Sequence, residues 1–221
     1  MTLKRAFDFL FSFVGIIIIS PILIPITILL SLTGEKKVFY IQERVGKNKK
    51  PFGLLKFATM LENSSNLPGG DVTTSDDPRV LPFGKVLRKT KINELPQLLN
   101  ILKGDMSFVG PRPTTFRNYS YYSDEIQSKI KSLKPGLTGI GSVVFRDEES
   151  YLKLSCKDAV TCYKEDIAPF KGELEVWYSK KQKFSLDLCL IFITAYVVIN
   201  PKSKIIRIIF KDLPKNDLFL N

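Results

Sequence analysis

The chain contains no histidine. That removes the imidazole general base, the Ser-His and Cys-His nucleophile pairs and histidine-ligated zinc. Any catalysis must rest on carboxylates, lysine, tyrosine, cysteine or a metal ion. Cysteine is scarce: Cys156, Cys162 and Cys189 match no zinc or redox spacing. An odd count is no disulfide framework, and the three are read as reduced. Neither a Walker A loop nor a GxGxxG occurs, so nucleotide folds of those kinds lack support. Acidic residues are also in deficit, 22 Asp and Glu against 33 Lys and Arg, for a formal charge of +11. Such a balance suits nucleic acid, anionic lipid or phosphorylated substrates without choosing among them, and equally a solvated basic surface. With no nucleic-acid motif and no aromatic-basic repeat, a nucleic-acid partner is not expected.

Charge itself is missing from Phe9 to Thr33. About 20 apolar residues suffice to cross a hydrocarbon core, and no small-x-small cleavage site follows the run, so it reads as a membrane anchor. Pro21 and Pro25 sit in its middle, just after Ser20. Each proline removes a backbone donor and crowds the preceding turn, so a bend is expected, with Ser20 bonding back to a freed carbonyl. Lys4 and Arg5 precede the run, and Lys36, Lys37, Arg44, Lys47, Lys49 and Lys50 follow it. Basic flanks on both sides favour both ends being cytoplasmic. A proline-broken re-entrant helix meets that condition; a kinked spanning helix is the alternative. Lys4 and Arg5 would then lie at headgroup depth, where they attract anionic membrane lipid.

The 221 residues suffice for one domain and an anchor. We expect an anchor over 1–35, a domain over 36–200 and a basic tail over 201–221. Strands are expected at Val38–Ile41 and Phe52–Phe57, joined by the basic turn 46–50. The polar stretch 63–77 reads as a surface loop. Gly84–Lys89 looks helical, and Leu95, Leu98, Leu99 and Leu102 show helical spacing, ended by Gly104. Helices are also expected at Asp124–Leu133, Asp158–Asp166 and Gly172–Lys183. Leu186–Ile199 is apolar but too short to span. Beyond it, Lys202, Lys204, Arg207 and Lys211 alternate with isoleucines, a mixture suited to a helix in the headgroup plane. The fold class is α/β and α-rich: a small mixed-sheet domain with surface and interfacial amphipathic helices behind the membrane helix.

The densest chemistry runs from Lys85 to Arg112. Glu94 stands at a helix start, where partial positive charge and unpaired N–H groups attract phosphate or a metal-phosphate complex. Arg88 and Arg112 can grip phosphate oxygens bidentately. Pro111 and Pro113 fix the backbone around Arg112. One carboxylate among several cations describes phosphoryl transfer with a divalent metal. The same residues also fit a helix-capping carboxylate and surface arginines. The run Arg146-Asp147-Glu148-Glu149 could touch sugar or metal, though a solvated helix start explains it as well.

The stretch from Leu87 to Pro113, LRKTKINELPQLLNILKGDMSFVGPRP, resembles the signature of the bacterial sugar transferases, the monotopic polyprenyl-phosphate phosphoglycosyl transferases. The similarity extends to Lys4-Arg5 with Asp8, Ser20-Pro21, Tyr40–Gly46, Lys56-Phe57, Asp77–Val80, Lys134–Gly139 and Ser185–Leu188. It implies a re-entrant anchor at the cytoplasmic face of the bacterial inner membrane. It also implies transfer of a sugar-1-phosphate from a UDP-sugar to undecaprenyl phosphate, with release of UMP and a requirement for Mg2+. The product would begin a surface glycan; a homodimer is compatible with this reading. Carried over residue by residue, Glu94 is the essential carboxylate, as metal ligand or nucleophile. Lys56, Arg88 and Arg112 become phosphate partners, and Asp105 a second carboxylate candidate or a structural residue.

Departures cluster. Where most members carry an Asp-Glu pair with a nucleophilic Asp, this chain has Asn93-Glu94. A neutral amide lacks the anionic oxygen needed to attack phosphorus. Glu94 as nucleophile, direct attack by the lipid phosphate, an inactivating change and a non-catalytic homologue all remain open. Ala58, Leu81, Ile140 and Ser142 also differ from the family's usual Arg, Thr, Trp and Gln, a pattern suited to altered substrate choice or mechanism.

Overall fold

The computed structural model describes residues 2–62, 64, 77–146, 148, 151–152, 157–200 and 203–216. The chain divides into two compact units. The first, here the anchor unit, comprises Arg5–Glu43 and Gly53–Gly104. The second, here the C-terminal unit, comprises Met1–Lys4, Arg44–Phe52 and Asp105–Asn221.

Helix α1 (Leu3–Leu32) contains both prolines. It is long and apolar enough to cross a membrane, and only 6% of its most apolar stretch is buried. A core helix would be hidden on most of its surface; this one leaves Phe9, Phe13, Ile17, Ile18, Ile24 and Ile28 exposed. Ser20 Oγ donates to Ile17 O at 2.8 Å. That is the carbonyl four residues before Pro21, the one whose helical donor proline removes, so the expected back-bond is present.

Strands β1 (Phe39–Val45) and β2 (Pro51–Phe57) pair as a hairpin. Its base belongs to the anchor unit and its turn to the C-terminal unit. The turn places Asn48 and Lys49 at positive φ and is closed by Gly46 N–H on Lys50 O at 2.8 Å. Helix α2 (Pro82–Lys89) starts on a proline already set for helix. Its Gly84 lies against the chain at Thr59, where a Cβ would stand 2.2 Å from the Thr59 carbonyl oxygen. Leu30, Phe57 and Leu87 form one small buried cluster of this unit. Helix α3 (Gln97–Lys103) ends at Gly104 with φ 101°, the left-handed cap expected of it. The Asn100 side chain fastens α3 to β2, accepting Leu55 N–H at 3.0 Å and donating to Gly53 O at 2.8 Å.

In the C-terminal unit, β3 (Ser107–Val109) and β4 (Gly136–Thr138) pair in parallel, Ser107 opposite Gly136 and Val109 opposite Thr138. Around them lie α4 (Phe116–Tyr119), α5 (Asp124–Ile130), α6 (Ile140–Val144) and α7 (Ala159–Cys162). A π-helical turn, Tyr163–Ile167, carries α7 into α8 (Ala168–Lys181), followed by α9 (Phe184–Ile199) and α10 (Ile205–Ile209). Side chains cap the starts of α4, α5 and α7 from Thr115, Ser123 and Asp158, each cap worth about 1 kcal/mol. The core is larger here and includes Ile140, Ile167, Phe170, Leu174, Tyr178 and Leu190. Each such side chain contributes roughly 1.5–3 kcal/mol on burial.

The tail is tied down by Trp177, whose Nε1–H donates to Asp212 Oδ2 at 3.0 Å and whose ring meets Phe210 edge-on. Ile206 and Leu213 are buried, while Ile208 and Ile209 are exposed. Most of the expected 63–77 loop, together with Asp147, Glu149, Cys156 and Lys202, lies outside the described residues.

Candidate active site

The residues expected to carry the chemistry fall in both units, and each set has its own geometry. In the anchor unit, α2 delivers Arg88 from its last turn. Arg88 Nη1 lies 3.5 Å from Met60 Sδ. Lys91 follows in the left-handed region, φ 60°, a conformation that costs a non-glycine residue about 1–2 kcal/mol. It opens a 3₁₀ turn, Ile92–Glu94, in which Glu94 N–H donates to Lys91 O at 3.1 Å. Strain is thus stored one residue before the turn that carries Asn93 and Glu94.

Asn93 is only 6% exposed, and its Oδ1 is buried without a hydrogen-bond partner. An orphaned buried carbonyl costs on the order of 1–3 kcal/mol. Glu94 is half-buried. Successive side chains on a 3₁₀ turn diverge by about 120°, so Glu94 does not occupy the place of the Asn93 side chain. Lys56, on β2, is half-buried. Nearby, Asp77 and Arg79 form a buried pair with side chains 6% and 4% exposed. Arg79 donates to both carboxylate oxygens, at 2.8 and 2.6 Å, and also to Ser64 O at 2.8 Å. Those hydrogen bonds hold the Asp77 carboxyl below the ordinary carboxylate range, with a smaller contribution from the Arg88 charge.

In the C-terminal unit, the Gly110–Pro113 loop is pinned by its backbone. Gly110 N–H donates to Thr138 O at 2.9 Å, and Pro111 O accepts from Gly136 N–H at 2.8 Å. Pro113 O accepts from Arg44 Nη1 at 3.2 Å, and Thr114 O from Val45 N–H at 3.0 Å. A Cβ on Gly110 would lie 2.1 Å from Lys134 O, and one on Gly139 would lie 2.2 Å from Gly110 O. Gly110 and Gly139 are therefore packed directly against neighbouring backbone. The result is an exposed arginine, Arg112, on a rigid backbone, with Pro113 buried beneath it. Asp105 is exposed just beyond Gly104.

The two basic residues at the foot of α1 make defined contacts. Lys4 Nζ donates to Val109 O at 2.8 Å and pairs with Asp187 Oδ2 at 2.6 Å. Asp187 in turn accepts from Tyr178 OH at 2.6 Å. Arg5 donates to Ile101 O and Leu102 O at 2.6 and 2.7 Å. It thereby places positive charge on the C-terminal carbonyls of α3, where the helix dipole favours it.

One cluster went unnoticed in the sequence. Glu175 is buried, its pKa pushed up to about 8 by burial and partly offset by Lys171. Burial lowers the pKa of Lys171, which pairs with Glu148. Lys171, Leu174, Glu175 and Tyr178 recur at helical spacing on one buried face of α8, the signal that could have found them.

No group of three or more Asp, Glu, Cys or His able to hold a metal occurs among the described residues. Mg2+ commonly takes one or two protein carboxylates and completes its octahedron with phosphate oxygens and water. Glu94, half-buried on its 3₁₀ turn, fits that sparse pattern as a single protein carboxylate.

Relatives cover most of the chain. The exopolysaccharide production protein ExoY of Sinorhizobium fredii is 36% identical over 162 residues, 67% of this chain and 71% of ExoY. The undecaprenyl-phosphate galactose phosphotransferase of Salmonella typhimurium is 33% identical over 212 residues; the match takes in 90% of this chain and 40% of that protein. The uncharacterized sugar transferase EpsL of Bacillus subtilis is 35% identical over 200 residues, 90% of this chain and 88% of EpsL. The bacterial sugar transferase family matches residues 1–201, and the chain belongs to that family.

Proposed function

We propose that this protein transfers a sugar-1-phosphate from a UDP-sugar to undecaprenyl phosphate at the cytoplasmic face of the bacterial inner membrane and releases UMP. The observation that carries this reading is the similarity, over 90% of the chain, to relatives named for undecaprenyl-phosphate phosphotransfer. The exposed apolar α1 supports it, since the acceptor is itself a lipid. Within the anchor unit, Arg88 and Lys56 would bind phosphate oxygens; within the C-terminal unit, Arg112 would do so. Glu94 would hold Mg2+, which when bound neutralises developing charge on the diphosphate. The α1 helix would dip into the bilayer and return, keeping both basic flanks cytoplasmic.

Asn93 shapes the route. The resemblance implies that a nucleophilic Asp stands here in most members, and an amide cannot take its place. We infer a single displacement. An oxygen of the lipid phosphate bonds to the sugar-bearing phosphorus, and the bond from that phosphorus to the UMP oxygen breaks. The role of Glu94 is then to hold charge rather than to attack. A non-catalytic homologue is the second reading, favoured only by the neutral Asn93.

The test supplies membranes containing the protein with UDP-sugars, undecaprenyl phosphate and Mg2+ and follows UMP. The expected result is release with one sugar, abolished in Glu94→Gln, and no phosphosugar adduct by intact mass when lipid is withheld. An adduct would restore a covalent route. Silence across all donors, with activity appearing in Asn93→Asp, would favour the non-catalytic reading.

A further inference from the structure

Beneath the turn Gly139–Gly141, in the C-terminal unit, α8 presents Glu175, 3% exposed. Its carboxyl accepts the Gly141 N–H, and a Cβ on Gly141 would stand 2.6 Å from Oε1. The second oxygen, Oε2, is buried with no partner. One helical turn earlier, Lys171 is 8% exposed. Its Nζ lies over the rings of Phe145 and Tyr163, at 5.0 and 5.1 Å, and it pairs with Glu148. The positive charge of Arg112 bears on both Lys171 and Tyr163.

A chain of backbone contacts runs upward from Glu175. The carboxyl holds Gly141, Gly139 abuts Gly110, and Gly110 opens the loop that carries Arg112. We propose that Glu175 is a positioning residue for anion binding by Arg112, holding the Gly139–Gly141 turn and the Gly110–Pro113 loop in place only while its carboxyl is neutral. The substrate named in the test rests on the function proposed above; the positioning argument uses only this geometry.

Charge balance supplies the reason. With Glu175 neutral, Lys171 has one anionic partner, Glu148, and the cluster is compensated. Ionised Glu175 adds a buried negative charge whose second oxygen has no donor, which is costly at low effective dielectric. The Gly141 N–H favours the ionised carboxyl, so relief requires Lys171 to leave Glu148 for Glu175, a movement that draws its ammonium from the Phe145 ring at the end of α6. Among the described residues, the ionisable groups in electrostatic reach of Glu175 are Lys171 and Tyr178 on α8 and Tyr122 ahead of α5. Glu148 and Arg112 act through Lys171. Helix α6 offers no ionisable side chain, only the Gly141 N–H. Burial places the Glu175 titration at about pH 8, within reach of experiment.

The test uses the full chain in lipid nanodiscs. UDP binding is measured from pH 6.5 to 9.5 for wild type and Glu175→Gln, with hydrogen exchange followed across Gly136–Phe145. The expected wild-type affinity is flat at low pH and weakens by about tenfold per pH unit above the transition, as loss of one proton requires. Exchange in 136–145 should rise over the same range beyond its intrinsic pH dependence. Glu175→Gln, which keeps the acceptor for Gly141 but cannot ionise, should bind UDP with a flat profile. In turnover, KM for the sugar nucleotide should rise with pH while kcat holds. Parallel pH profiles for the two proteins would overturn the proposal. If the variant does not fold, unchanged wild-type exchange at Gly141 across the range would overturn it alone. Absent turnover with the expected binding profile would instead defeat the proposed function and leave this inference standing.

Discussion

Both units bury charge, and they do so differently. In the anchor unit, Arg79 and Asp77 form a closed network with Ser64 O: every guanidinium nitrogen has an acceptor, and both carboxylate oxygens are used. In the C-terminal unit, Lys171 and Glu148 are paired, but Glu175 keeps one oxygen unpartnered. A closed network has one low-energy arrangement and serves the fold. An open one has a protonation state to choose, so its geometry answers to pH. Site residues stand beside both: Arg88 acts on Asp77, and Arg112 acts on Lys171.

The largest effect should come from opening the closed pair. Arg79→Met leaves Asp77 buried without its cation and should cost about 3–5 kcal/mol in denaturant unfolding. Glu175→Gln should do the reverse. The folded state keeps the Glu175 proton up to about pH 8, whereas an unfolded carboxyl releases it near the ordinary 4.5. Wild type therefore loses stability as pH rises through that window, and the glutamine variant does not. At pH 8 the variant should melt higher, on the order of 5 °C or more, and the advantage should vanish below pH 4.5. If Arg79→Met and Glu175→Gln shift melting in the same direction at pH 8, the contrast between the two networks fails. Asn100→Ala, which strips a partner from Leu55 N–H and Gly53 O, should cost about 1–3 kcal/mol, read by thermal unfolding in detergent. Ser20→Ala should be smallest, about 0.5–1.5 kcal/mol, with amide exchange at α1 rising around residues 17–21.

Much of this was legible in the chain. Uncharged length marked α1, Gly104 marked the end of α3, and Leu95, Leu98, Leu99 and Leu102 announced that helix by their spacing. The hairpin was readable from its basic turn, though β1 runs on to Val45. What escaped had a faint or ambiguous local signature. Strands β3 and β4 are three residues each, too short for alternation to show. The π-helical turn joins α7 and α8 into one run, where the sequence suggested separate helices. The roles of Lys171 and Glu175 depend on which face of α8 is dry, and charged residues on a helix are ordinarily read as solvated. Glu94 and Arg112 were found because their chemistry is written in residue type; Glu175 acts through its burial, which is not.

The hydroxyl of Ser20 has a mechanical consequence. Thirty residues of helix reach about 45 Å, against a hydrocarbon thickness of about 30 Å. An anchor that dips and returns does not match that thickness; it takes up its length by bending at its prolines. A proline break usually bares a carbonyl to the bilayer interior, but here the neighbouring hydroxyl covers it. At Pro21 the anchor can therefore bend with that carbonyl still paired, as a dip into one leaflet and back requires.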